Sequence, residues 1–385
     1  MRKMSDKEFQ LHVRAVALLL LSMVAVAMLG EVSRQNWNSK VTAYPTKTEA
    51  AIESYARDLM SKMTLEQKVA QMFIASDGVD AETAASLGLG GVHLTTAQLE
   101  HLNSDDVTAL VRGYKAEGKI PMLVAVSEEG GTVNTVSAVP ALRAKAFLSP
   151  RELLTTGGLN LVDSDTRDKS DLLRGLGIHI NFAPVCDVAE YESAMMYERA
   201  AKGDAEDVGR YVETVITAMN ERKVIGVLKY FPGYGNAKAL GHTDVITDRR
   251  TMEQLETAAF PPFAAGIEAG AEMVMMSNTI VAAVDGSQPA SLSAHVHKLL
   301  RRQLGFDGII VSGDLQAKGL ERYGDGGELA VMAIKAGSDL VFTADYAEQI
   351  KAVVRSVKQG EISEERIEES VLRVLEMKIA NGMME

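Results

Sequence analysis

The chain of 385 residues carries 40 Lys and Arg against 52 Asp and Glu, a net charge of -12, and is 46% hydrophobic. That length and apolar content suit a globular core and exclude a disordered chain, while the acidic balance excludes a nucleic-acid surface, which needs clustered Lys and Arg to displace phosphate counterions. The single cysteine, Cys186, rules out an intramolecular disulfide, and the seven histidines lack HExxH or Cys-pair spacing, which argues against a structural zinc site; no metal or organic cofactor is implied.

At the N-terminus, Arg2, Lys3, Lys7 and Arg14 precede the uncharged run AVALLLLSMVAVAMLG, 15–30. Its sixteen residues lie between a signal-peptide core and a full bilayer span of about 20. The run has no polar face, which argues against a buried helix of the domain. Residues 1–30 therefore read as a signal anchor or signal peptide. The positive flank keeps that end in the cytoplasm and places the body outside, anchored to the membrane through residues 15–30 or secreted. Ala25-Val26-Ala27 offers a cleavage motif, but Met28, Leu29 and Gly30 extend the apolar run, which favours the uncleaved anchor. A polar linker, 31–45, leads to the body, 46–385.

Within the body, short apolar runs alternate with amphipathic stretches, the pattern of a parallel sheet with helical crossovers. The predicted strands are QMFIAS (71–76), GGVHLTT (90–96), PMLVAVS (121–127), HINFAPVCDV (179–188), GVLKYF (226–231), EMVMMSN (272–278), GIIVSGD (308–314) and DLVFTA (339–344). Strands this continuously apolar are buried on both faces, and eight of them with helices between predict a closed α/β barrel, a single (β/α)8 domain of TIM type. Helix signals agree with this. Thr64 opens TLEQ, a capping box closed by Gln67. Ser363 caps the last helix, Ile367, Val371, Val374 and Met377 repeat along one face, and Asn381-Gly382 ends it.

In such a barrel the reactive side chains belong where strands end and the following loops begin. Those positions hold Ser127-Glu128-Glu129-Gly130-Gly131, Asp187, Glu198-Arg199, the stretch KYFPGYGNAKALGH (Lys229 to His242), and Ser312-Gly313-Asp314. Gly130 and Gly131 point to a close backbone approach. Lys229 and Arg199 would sit in the barrel mouth, where cations need an acid or a ligand beside them. Glu128, Glu129, Asp187 and Asp314 are the available acids, and an ion-pair network is the expected answer. Cys186 reads as a small core residue.

The segments MTLEQKVAQMF, EEGG, FAPVCDV, KYFPGYGNA, LGFDGIIVSGDL and GEISEERIEESVLRVLEMK stand in one order. In that order they resemble glycoside hydrolase family 3, and residues 50–382 are most similar to its single-barrel β-N-acetylhexosaminidases. The resemblance implies a retaining mechanism through a glycosyl-enzyme intermediate. As ligand it implies a glycan or muropeptide carrying β-linked N-acetylglucosamine, and as binding residues Arg199, Lys229, Tyr230 and Glu129.

The same resemblance places the family's nucleophilic aspartate on Gly313, which keeps Ser312, Asp314 and Leu315 around it but offers no nucleophile. The His of the family's Asp-Ser-His acid/base dyad falls on His242, its Ser on Gly241 and its Asp on Leu240, which cannot hold an imidazole tautomer. Polar sugar-binding positions fall on Ser127, Thr132, Thr135, Tyr230 and Tyr234. The two tyrosines can stack on a sugar ring or fill a vacated pocket. The leading expectation is a cell-envelope protein with lost or strongly reduced hydrolysis and a glycan-binding or assembly role. One alternative is an active β-N-acetylglucosaminidase with Asp314 as nucleophile and His242, paired with Asp244, as acid/base. That requires a bulge at Gly313, because a one-residue step along a strand reverses the side chain's face. A structural scaffold without sugar affinity is the other alternative.

Overall fold

The computed structural model describes residues 48–116, 120–238 and 245–384. Each of the eight apolar runs contains a strand: β1 (Phe73–Ala75), β2 (Gly91–His93), β3 (Leu123–Val126), β4 (Ile180–Asn181), β5 (Ile225–Phe231), β6 (Met273–Met276), β7 (Ile309–Val311) and β8 (Val341–Thr343). They pair in the order β7-β6-β5-β4-β3-β2-β1-β8, every pair parallel. The two outer strands meet through one parallel bridge, Val311 to Leu340, so the sheet is a nearly closed barrel. The apolar run at 15–30 and the linker after it lie outside the described residues. Among the described ones, no helix is long and apolar enough to cross a membrane.

Strand alternation sorts the side chains into two layers. Ile74, Leu123, Ala125, Ile225, Val227, Met273, Met275, Ile309 and Val311 fill the barrel, and the intervening residues pack outward under helices such as Ala205–Glu221 and Phe260–Glu268. Burying each such side chain stabilises the fold by about 1.5–3 kcal/mol. Val374 and Met377 of the helix Glu364–Ala380 join the interior layer. Local signals set the helix ends: Thr64 and Gln67 form both bonds of the capping box, and Ser363 accepts from the backbone of Arg366. Where β7 and β8 close the barrel, the buried Asp339 accepts from Ile310 N at 3.0 Å and pairs with Arg301 at 2.6 Å and Arg373 at 3.1 Å.

Candidate functional site

Lys229 lies on β5 with its side chain 2% exposed, and its Nζ is 2.5 Å from Glu129 Oε1. Arg199, on the loop after β4, donates from Nε and Nη2 to the two oxygens of the same carboxylate at 2.9 and 2.7 Å. Its Nη2 also donates to Tyr230 Oη at 2.8 Å. Burial opposes charge on Glu129, but Lys229 and Arg199 outweigh it and hold the carboxyl below its usual range. Of the four acids that could have neutralised these cations, Glu129 does so for both. The predicted ion-pair network and the residues implied as substrate-binding are thus one cluster.

The glycines beside Glu129 explain how it gets there. Gly130 and Gly131 have φ of 100° and 66°, which glycine adopts without a Cβ penalty. A Cβ at Gly130 would strike the Leu148 carbonyl, and one at Gly131 would stand 2.6 Å from Ser149 Cβ. The preceding Glu128 has a different task. It accepts from the backbone N–H of Val136 at 2.6 Å and from the Ser137 hydroxyl, tying down the ribbon Glu128–Gly130 with Val133–Asn134. Thr135, a position the resemblance gave to sugar binding, is consumed by bonds to the Ser127 backbone.

At the end of β7 the space beside Gly313 is already occupied. A Cβ there would lie 2.7 Å from Cγ of Asn278, and that carboxamide is fixed. Its Nδ2 donates to the Asp314 carbonyl at 2.8 Å, and its Oδ1 accepts from Ser291 Oγ at 2.5 Å. Tyr234, whose phenol is pushed up by burial, meets the backbone N–H of Asn278 and stands edge-on to Tyr230 at 5.7 Å. Asp314 is half-buried. Its Oδ1 accepts from Gln316 N at 2.9 Å, and burial, with Asp77 nearby, raises its pKa.

Further residues frame the mouth. Asp187 Oδ1 accepts from Gly235 N at 2.8 Å and Tyr234 N at 2.5 Å, which fixes the Phe-Pro-Gly turn, and burial pushes its carboxyl up to about 6. His93 of β2 lies edge-on to Phe182 and Phe342 at 5.3 and 5.5 Å and pairs through Nε2 with Ser127 Oγ at 3.0 Å. Burial, then Lys229, lowers its pKa to about 3, so it is a neutral imidazole. Cys186 is buried and its thiol is pushed well up by burial. Leu240, Gly241, His242 and Asp244 lie outside the described residues.

Asn278 and His93 are the site residues that sequence reasoning missed. Both had a visible signal, since Asn278 ends the predicted strand EMVMMSN and His93 falls inside GGVHLTT, each a polar residue on an otherwise apolar run. Among the described residues no cluster of three or more His, Cys, Asp or Glu has metal-binding geometry.

Comparison with known proteins agrees with this architecture. The chain is 29% identical to β-hexosaminidase LpqI of Mycobacterium tuberculosis over 333 residues, covering 82% of each protein. It is also 29% identical to a β-hexosaminidase of Xylella fastidiosa over 276 residues, which is 66% of this chain and 81% of that one. Among solved structures, it matches a family 3 β-N-acetylglucosaminidase from Paenibacillus with a TM-score of 0.78 and 28% identity, covering 83% of this chain but 63% of that longer protein. Mycobacterium tuberculosis LpqI matches with a TM-score of 0.74 and 26% identity over 83% of this chain and 95% of its own. Residues 64–377 match the model of the glycosyl hydrolase family 3 N-terminal domain. Several motifs in family order, the eight-stranded barrel and this match together make the chain a member of glycosyl hydrolase family 3, similar to its β-hexosaminidases.

Proposed function

We propose that this chain is a β-hexosaminidase-like glycan-binding protein of the cell envelope whose hydrolytic activity is lost or strongly reduced. The observation that carries this reading is at Gly313, where the position of the attacking carboxylate lacks a side chain and the adjoining space holds the Asn278 carboxamide. Retaining hydrolysis needs a carboxylate that attacks the anomeric carbon and a second group that moves the proton. Losing an acid/base alone costs about 10²–10⁴ in rate. The retained Arg199 and Lys229, with the Tyr230 hydroxyl on Arg199, leave polar contacts for sugar hydroxyls, which supports binding of an N-acetylglucosamine-containing glycan. Residues 15–30, apolar behind four cations, support an extracytoplasmic, anchored or secreted placement.

The full chain, incubated with a chromogenic β-N-acetylglucosaminide, should give no turnover above buffer, and Asp314→Asn should leave that result unchanged. Turnover that Asp314→Asn abolishes would instead establish the working hydrolase, with Asp314 as its nucleophile. Calorimetric titration with N-acetylglucosamine or muropeptides then separates a binder, which releases heat, from a scaffold, which does not.

A second measurement addresses the filled space directly. Gly313 is not in the left-handed region, so alanine fits its backbone and any cost comes from Asn278. Gly313→Ala should destabilise the protein by about 1–3 kcal/mol, as overpacking does. In an Asn278→Ala background that loss should nearly vanish. An equal loss in both backgrounds, read from urea midpoints, would show that Asn278 does not fill the site.

A further inference from the structure

A shallow, open cleft lies among the loops that follow β5, β6 and β7, and Thr247, Arg249, Ile280, Ser287, Arg322 and Tyr323 contribute to its lining. Loops at the carboxyl ends of barrel strands are where such folds place ligands. One wall is a short parallel ribbon in which Ile280 lies opposite Thr247. Asp248 turns inward there and accepts from Arg250 through both carboxylate oxygens, Nε to Oδ1 at 3.0 Å and Nη2 to Oδ2 at 2.7 Å. Strand alternation therefore leaves Thr247 and Arg249 facing outward.

The electrostatics of the cleft run against those of the chain. The protein carries a net charge of -12, yet no Asp or Glu is among the described residues lining this space. Arg249 and Arg322 are exposed and form no ion pair with a described residue. Arg322 lies over the Tyr323 ring, 5.2 Å from its centroid, a contact that steadies a guanidinium without neutralising it. With no described carboxylate in the lining beside these two guanidiniums, an oxyanion between them would form charge-assisted hydrogen bonds. Thr247 adds a neutral donor, while Ile280 and the Tyr323 ring supply apolar surface for the body of a ligand.

We propose that this cleft is a binding site for an anionic ligand whose carboxylate or phosphate is gripped between Arg249 and Arg322. None of its residues belongs to the Glu129, Arg199 and Lys229 cluster, so the site stands whether or not the chain hydrolyses glycosides. The test is calorimetric titration of the full chain at low ionic strength with inorganic phosphate and, separately, with glucuronic acid, using glucose as the neutral control. Saturable binding of at least one anion and none of glucose is expected, and the tighter anion identifies the acid group of the ligand. Arg249→Ala and Arg322→Ala should each weaken binding about tenfold or more, the loss of one charge-assisted contact. Arg302→Ala, an exposed arginine on the helix Ala294–Gln303, should leave it unchanged. Flat titrations with both anions would overturn the proposal. So would undiminished binding in either cleft variant, or equal weakening in Arg302→Ala, which would mark diffuse surface charge.

Discussion

Glu129→Gln is expected to lower the unfolding free energy by about 3–5 kcal/mol, because removing one partner of a buried ion pair strands the other charge without water. Lys229 is the charge it strands, with a side chain 2% exposed and Glu129 as its ion-pair partner. Arg199 suffers less, since its side chain is 23% exposed and keeps Tyr230 as an acceptor. Adding Lys229→Met to Glu129→Gln should therefore recover most of the loss, and two variants that simply add in urea unfolding would sink this account. The pH dependence gives an independent check. Glu129 has a folded pKa below its ordinary 4.5, so its stabilisation is present above about that pH and is lost as pH falls through the lowered folded value. The difference between wild type and Glu129→Gln should consequently narrow below about pH 4.5.

The barrel was legible in the sequence because parallel strands buried on both faces leave uninterrupted apolar runs. Each of the eight runs holds a strand, but their lengths were not legible. HINFAPVCDV (179–188) contributes only Ile180–Asn181 to the sheet, because Pro184 has no N–H to donate. Chain then returns for one bridge, Val185 to Lys229. At the site, sequence reasoning named Lys229, Arg199 and four acids, and the structure selects Glu129 because two left-handed glycines turn the chain just beyond it. That choice depends on backbone direction, which residue type does not report. The filling of the nucleophile's place was still less accessible. Asn278 lies just past β6 and Gly313 just past β7, and nothing in either segment states that one side chain fills the other's vacancy.

Lys378 offers the other large effect, and it was hidden in plain sight on the helical face marked by Ile367, Val371 and Val374. It is fully buried, and its Nζ donates to Gln71 Oε1 at 2.8 Å. No described carboxylate pairs with it, whereas the buried Lys68 has Glu364 and Glu368 at 3.0 and 2.5 Å. Burial accordingly lowers the Lys378 pKa to about 7, from 10.5. In that interval the unfolded chain binds a proton that the folded one does not, so stability rises with pH between about 7 and 10.5. Below 7 both forms are charged and the full penalty applies; above 10.5 both are neutral and it disappears. Lys378→Met keeps the volume and discards the charge, leaving Gln71 Oε1 without its donor at a cost of about 1–3 kcal/mol. Its stability relative to wild type should fall by about 4 kcal/mol from pH 6 to pH 10, so the variant is the more stable protein in mild acid and loses that advantage in base. Urea unfolding of both proteins at the two pH values measures this directly, and parallel curves would mean that Lys378 keeps its proton at an ordinary pKa inside the core.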